Sequence, residues 1–243
     1  MDGRAALITG GSSGIGLAIA RALGEDGYRL TVSARRPEKL EDAVSGLTDT
    51  GLEVQAVPAN MAKEEELSAL AAAHRERYGR LDVLVNNAGV GIGGAIADHE
   101  TKRLDMQLDV NLRAVYLMTR ECIPMLKEAG AEHGKALIVN VASIAGKFGQ
   151  PWLAAYSATK AGVVALSQAA HGELGGDGVQ VTAFCPAFVA TPMTDWVEGV
   201  AKDEMIQPED VAEAVRFLLR TSRACMVPDI QFVRPADKPG AGV

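Results

Sequence analysis

The stretch from Ala5 to Leu23 constrains the fold of this chain more than any other. Ala5 to Thr9 is a short apolar run of the kind that forms a buried strand. It enters Thr9-Gly10-Gly11-Ser12-Ser13-Gly14-Ile15-Gly16, and the helical pattern Leu17-Ala18-Ile19-Ala20-Arg21-Ala22-Leu23 follows at once. Glycines between a strand and a helix let the backbone approach a pyrophosphate, whose charge the helix N-terminus favours. A tight turn that needs glycine only for its dihedrals is the simpler alternative. Three glycines between strand and helix favour nucleotide binding, although the spacing is G-x-x-x-G-x-G rather than the commoner G-x-G-x-x-G.

The rest of the chain repeats the alternation. Apolar runs at Leu30–Ala34, Val54–Val57, Leu81–Val85, Ala136–Val141, Val179–Phe184 and Ile230–Val233 read as further strands. Helical patterns run from Pro37, over Lys63–Tyr78 and Glu100–Lys127, around Tyr156 and Lys160, and over Pro208–Arg220. In the long helix, Leu104, Leu108, Leu112 and Val115 form one apolar stripe beside the poor helix former Asn111. Alternation of this kind predicts right-handed βαβ units: one doubly wound α/β domain over 1–243, with a mostly parallel seven-stranded sheet covered on both faces. The tail from Pro235 to Val243 is expected to be irregular. The second strand ends at Arg35-Arg36, where an acidic residue would hold ribose hydroxyls and arginine accommodates a 2′-phosphate. That favours NADP(H) over NAD(H).

Composition narrows the function classes. With 48% hydrophobic and 23% charged residues the chain is of a soluble globular type, and no apolar run spans a bilayer. A net charge of −7 without a dense basic block argues against nucleic acid or anionic membrane as partner. Cys122, Cys185 and Cys225 have neither metal-ligand nor disulfide-framework spacing, so no metal is expected, and a reducing cytoplasm suits them. The N-terminus lacks a signal-peptide pattern.

Tyr156 and Lys160 stand one helical turn apart on one face. A tyrosine titrates near pH 10, and a neighbouring ammonium favours its phenolate, moving it toward the range useful for proton transfer. Many half-exposed helices carry such a pair for structural reasons alone. Here the pair follows Ser143 at the end of the fifth strand and Asn86-Asn87-Ala88-Gly89 at the end of the fourth.

With these motifs in this order, nearly the whole chain resembles the short-chain dehydrogenase/reductases. The resemblance implies a catalytic set of Asn111, Ser143, Tyr156 and Lys160. Tyr156 would be the general acid or base and Lys160 would lower its pKa and bond the nicotinamide ribose. Ser143 would hold the substrate oxygen, and Asn111 would anchor a relay water. It further implies cofactor contacts from Gly10, Ser12, Ser13, Gly14 and Ile15 at the phosphates and from Arg35 and Arg36 at the 2′-phosphate. Asn87, Ala88 and Gly89 would lie along the middle of the cofactor, with Pro186, Ala187, Val189 and Thr191 flanking the nicotinamide. Asn60 replaces the family's usual aspartate at the adenine, and Pro186-Ala187 replaces Pro-Gly. The ending Val227–Pro235 lacks the Val-Asp-Gly-Gly of ketoacyl reductases and looks like a shorter NADP-linked branch. A lid over Phe188–Lys202 would wall the substrate with Phe188, Met193, Trp196 and Val197, helped by Phe148 and Trp152. That points to a neutral, partly apolar carbonyl compound or the corresponding alcohol. The family implies a homotetramer or homodimer joined through the long helices. Two other uses of the same fold stay open: a non-catalytic NADP-sensing regulator, and a lyase or epimerase that uses the cofactor transiently.

Overall fold

A computed structural model describes residues 3–236. Seven strands form one sheet: β1 (Ala5–Thr9), β2 (Arg29–Ala34), β3 (Val54–Pro58), β4 (Val83–Asn86), β5 (Ala136–Val141), β6 (Val179–Pro186) and β7 (Asp229–Phe232). The main helices are α1 (Gly14–Glu25), α2 (Pro37–Thr48), α3 (Glu64–Tyr78), α4 (Thr101–Leu108), α5 (Ala114–His133), α6 (Ala154–Leu174) and α7 (Pro208–Arg220). Every strand pair is parallel, in the order β3-β2-β1-β4-β5-β6-β7. This is the doubly wound Rossmann arrangement. Because β1 is flanked by β2 on one side and β4 on the other, the chain reverses direction there and opens a crevice beyond the strand ends.

The period of two along each strand sorts its side chains between two helical layers. Ala6, Ile8, Val83, Val85, Leu137 and Val139 pack toward α1, α2 and α7. Leu7, Leu84 and Ile138, between them in sequence, pack toward α3 and α5. Strands buried on both faces read as unbroken apolar runs, which is why they stand out in the sequence. Charge orients α3: Glu64, Glu65 and Glu66 occupy its first turn, Arg75 and Arg77 its last, and Gly79 ends it at φ +68.

The long helix differs from its sequence pattern. A π-helical turn at Asp109–Arg113 joins α4 to α5, and the run continues to His133, where Gly134 stops it at φ +72. The extra residue of the π turn rotates the face, so the apolar stripe splits. Val115 is buried, whereas Leu104 and Leu108 are exposed. The final strand starts one residue earlier than its pattern, β6 runs on through Pro186, and Pro235 and Ala236 form a turn. The remainder of the tail lies outside the described residues. Among those residues no helix is long and apolar enough to cross a membrane, and no cluster of three or more His, Cys, Asp or Glu could hold a metal ion.

Two helical glycines separate packing from propensity. A Cβ on Gly130 would lie 2.5 Å from the Asp177 carbonyl oxygen, backbone that cannot yield cheaply; one on Gly172 would meet nothing within 4 Å. Gly172→Ala should therefore gain about 0.5–1 kcal/mol of stability from helix propensity. Gly130→Ala should lose about 1–2 kcal/mol, overpacking exceeding the same gain. Thermal melts of the two variants should move in opposite directions, and a Gly130→Ala protein as stable as wild type would refute the close packing.

Candidate active site

The ends of β1, β4, β5 and β6 open into one cavity of about 700 Å³. At its floor β1 and β4 are laced together. The Thr9 hydroxyl accepts from the Asn87 and Ala88 N–H groups at 3.1 Å each, and the Asn87 side-chain amide donates to the Thr9 and Gly10 carbonyls at 3.0 Å each. Glycine is required here: a Cβ on Gly10 (φ +66) would come within 2.8 Å of Ala88 Cα, and one on Gly16 within 2.6 Å of the Gly10 oxygen. Asn87 thus lines the cavity, while its side chain serves the turn.

Gly10, Ser12, Ser13, Gly14 and Ile15 form one wall. Ser13 caps α1 in extended conformation without a side-chain bond to the helix, so α1 presents uncapped N–H groups beside the cavity. Arg35 and Arg36 line the same wall past the end of β2, both exposed and without an ion-pair partner among the described residues. Free amides, a helix N-terminus and two unpaired guanidiniums form a donor set that fits a pyrophosphate with a further phosphate. Asn60 lines the cavity beyond β3; its carbonyl oxygen accepts from the Ala62 N–H, leaving the amide NH₂ as a donor. Ala88 and Gly89 follow β4, and Pro186, Ala187, Val189 and Thr191 line the opposite wall.

Ser143, Tyr156 and Lys160 meet on that cavity. Gly146 makes the meeting possible: a Cβ there would lie 2.6 Å from the Lys160 carbonyl carbon, so the turn after Ser143 packs directly on α6. The Ser143 hydroxyl accepts from the Ala145 N–H at 3.2 Å and donates to the Pro186 carbonyl at 3.3 Å, a long bond that is readily exchanged. Lys160 is 4% exposed, donates to the Val141 carbonyl at 2.7 Å, and holds its Nζ 5.6 Å from the centre of the Tyr156 ring. Burial depresses its pKa to about 8. Tyr156 departs from expectation. Burial raises its pKa above the ordinary value, and the Ser143 hydroxyl pulls the other way without cancelling it. Desolvation of the phenolate is the larger effect.

Two expected residues are not among those lining the cavity. Asn111 is fully buried in the π turn and does not line the cavity. Its amide accepts from the Val90 N–H and donates to the Val90 carbonyl, both at 2.8 Å, and reaches Thr159 at 3.3 Å. With those bonds made, its side chain braces the segment after β4 against α6. Phe148 is also absent from the lining, because its segment turns away after Ser143; Gln150 takes the place and donates back to the Phe148 carbonyl. Trp152, Phe188, Met193, Trp196 and Val197 all line the cavity, as does Glu198, which the sequence reading did not single out. The segment expected to be a lid is short turns, tied by a bridge between Val189 and Ile206 and by Lys202, which pairs with Asp195 at 2.8 Å and donates to the Thr191 carbonyl. A buried polar chain runs from Asn86 through Asn140 to Ser167, of which the sequence marks only Asn86, since a lone asparagine at a strand end carries no pattern.

Comparison with known proteins gives consistent matches. The family model for short chain dehydrogenases matches residues 4–199. A variant of actinorhodin polyketide ketoreductase crystallised with NADPH is 38% identical, with 95% of each chain covered and a TM-score of 0.84. An alcohol dehydrogenase of the archaeon Thermococcus sibiricus, complexed with 5-hydroxy-NADP, is 30% identical over 97% of this chain and 98% of its own, with a TM-score of 0.88. A 3-ketoacyl-(acyl-carrier-protein) reductase of Brucella melitensis, complexed with NADH, is 33% identical over 94% and 97%, with a TM-score of 0.85.

The buried amine has a measurable consequence. An unfolded chain keeps the Lys160 proton to about pH 10.5, and the folded protein releases it near pH 8. The unfolded state binds more protons across that window, so this residue makes stability rise with pH there, by about 3 kcal/mol in all. Denaturant titrations of the cofactor-free protein between pH 7 and 10.5 should show this rise relative to Lys160→Met. Parallel curves would mean that the amine is solvated.

Proposed function

The chain belongs to the short-chain dehydrogenase/reductase family, and from that premise we propose that it catalyses reversible, NADP(H)-dependent hydride transfer between the nicotinamide and a carbonyl or secondary alcohol. One observation carries this reading: Ser143, Tyr156 and Lys160 open onto the same cavity as the glycine-rich turn and the two arginines. Solved relatives were crystallised with NADPH, 5-hydroxy-NADP and NADH, so the choice of NADP(H) rests on this chain's own Arg35 and Arg36. When bound, the cofactor supplies the hydride for carbonyl reduction.

The protein's part is to place the carbonyl and manage one proton. Ser143 turns its hydroxyl from Pro186 toward the substrate oxygen, where negative charge develops. Tyr156 delivers the proton. Burial raises its pKa, so the phenol is protonated at neutral pH, the form that reduction needs. Oxidation requires phenolate, and Lys160 supports it whenever the amine carries its proton. Asn111 acts as a positioning residue through Val90 and Thr159.

NADPH oxidation with a panel of aldehydes and ketones tests this directly. Turnover should favour NADPH over NADH by at least about tenfold, a preference lost in Arg35→Ala/Arg36→Ala. Tyr156→Phe should lower kcat by about 100- to 10,000-fold while NADPH still binds. Substantial residual turnover would remove Tyr156 from the proton step; a strong NADH preference would overturn the arginine assignment.

We also assign a homo-oligomer, a dimer or tetramer, assembled through the long helices, and a cytoplasmic location suited to the three free cysteines. Leu104, Met106, Leu108 and Tyr116 are all exposed on α4 and α5, between 37% and 57%, a concentration of apolar surface that a second copy would cover. Sedimentation should show an oligomer at micromolar concentration that dissociates on Leu108→Glu; a wild-type monomer would refute it.

A further inference from the structure

The end of the cavity away from the arginines is walled by the chain's two tryptophans, and neither is buried: Trp152 is 56% exposed and Trp196 54%. Their ring centroids lie 5.7 Å apart at 52°, and Phe188 meets Trp196 edge-on at 6.2 Å. Trp152 is held under strain. Its φ of +69° is the sole positive value on a non-glycine among the described residues. A bulky side chain adopts that conformation only where its surroundings over-determine it, commonly at ligand clamps.

Two contacts do so here. The Trp152 carbonyl accepts from the Gly94 N–H at 2.8 Å, and the indole lies so close on Gly93 that a Cβ there would come within 2.1 Å of Cζ3. The wall is continuous with the reacting end, since a Cβ on Gly91 would touch both Tyr156 Cε2 at 3.9 Å and Met193 Sδ at 4.0 Å. Glu198 lines the same rim with no hydrogen bond or ion pair among the described residues, whereas nearby Asp195 is paired with Lys202.

We propose that this end of the cavity is a stacking subsite, and that the substrate is an aryl ketone bearing no negative charge. The inference rests on the carbonyl-reducing role given above and names its substrate class. Half-exposed indoles that line the same cavity as the Tyr156 phenol offer π-faces that a flat ring covers better than a puckered aliphatic group. An unpaired carboxylate at the rim disfavours acids and acidic carriers by like-charge repulsion.

Acetophenone and cyclohexyl methyl ketone share one carbon skeleton and differ in the ring. Conjugation makes the acetophenone carbonyl the less electrophilic, so any preference for it reports recognition rather than reactivity. Its kcat/KM should exceed that of the saturated ketone by roughly 3- to 10-fold, mainly through KM. The ratio should fall toward one in Trp152→Leu. 4-Acetylbenzoate should be a poorer substrate than acetophenone, by several-fold at low salt, and Glu198→Gln should restore it.

Both tryptophans lie in this wall, so intrinsic fluorescence reads binding without turnover. Acetophenone should quench Tyr156→Phe protein saturably, unlike free N-acetyltryptophanamide, and single Trp→Phe variants should each lose part of the signal. Equal or better use of the saturated ketone, or quenching that never saturates, would overturn the subsite while leaving the reductase reading intact. Saturable quenching by acetophenone with no NADPH oxidation by any ketone would uphold the subsite and overturn the reductase reading instead.

Discussion

The site depends on how two neighbouring strands are tied where the chain reverses direction. β1 and β4 end side by side, and the segments beyond them must diverge to form a crevice while their backbone polar groups stay satisfied. One hydroxyl and one amide meet both needs: Thr9 takes two N–H groups from the β4 side, and Asn87 returns two donors to the β1 side. The glycines follow from that knot. Gly10 and Gly16 face Asn87 and Ala88 at distances no side chain fits, so the turn before α1 lies flat against β4. The N–H groups of α1 are thereby left facing open space. Free N–H groups at a helix N-terminus are the donors an anion would need.

The reacting end shows the opposite economy, in which charge is brought into an apolar place and kept there by a single strong bond. The Lys160 ammonium donates to the Val141 carbonyl, and burial depresses its pKa to about 8. Tyr156 is likewise shifted away from ionisation. Lysine and tyrosine one turn apart suggest a phenolate stabilised by a cation, yet burial disfavours the charged form of each. The pair is better regarded as a neutral acid beside a weakened base.

What was legible in the sequence is what local pattern controls. The doubly buried strands, the glycine turn and the dipole-matched charges of α3 each leave a signature within about ten residues. Arg35 and Arg36 were legible for the same reason, since they stand at the end of a recognisable strand. Asn111 was not. Its neighbourhood predicts a helix, but the π turn that aims its amide at Val90 depends on packing between α4, α5 and α6, which no local period encodes. The stripe of Leu104 and Leu108 shows the same limit: helical period shows that residues share a face, while what that face meets is decided by the whole layer. Phe148 was near Ser143 in sequence, but a turn of one residue either way decides whether a side chain enters a cavity or leaves it.

The two ends of the cavity differ in what holds them. The cofactor side is fixed by backbone and glycine: a Cβ on Gly10 or Gly16 would meet another stretch of main chain. The far side is fixed by one strained tryptophan seated on a glycine and by a lysine that staples surface turns. A surface ion pair such as Lys202 with Asp195 contributes little stability, at most about 1 kcal/mol. The strain at Trp152 costs about 1–3 kcal/mol. The far wall is therefore not maintained by its own net stability; the segments that carry it, α6 and the β6 end, are already held by the buried core. A wall carried in this way can change its side chains without endangering the fold, which is the physical condition for one cofactor-binding frame to serve many carbonyl substrates.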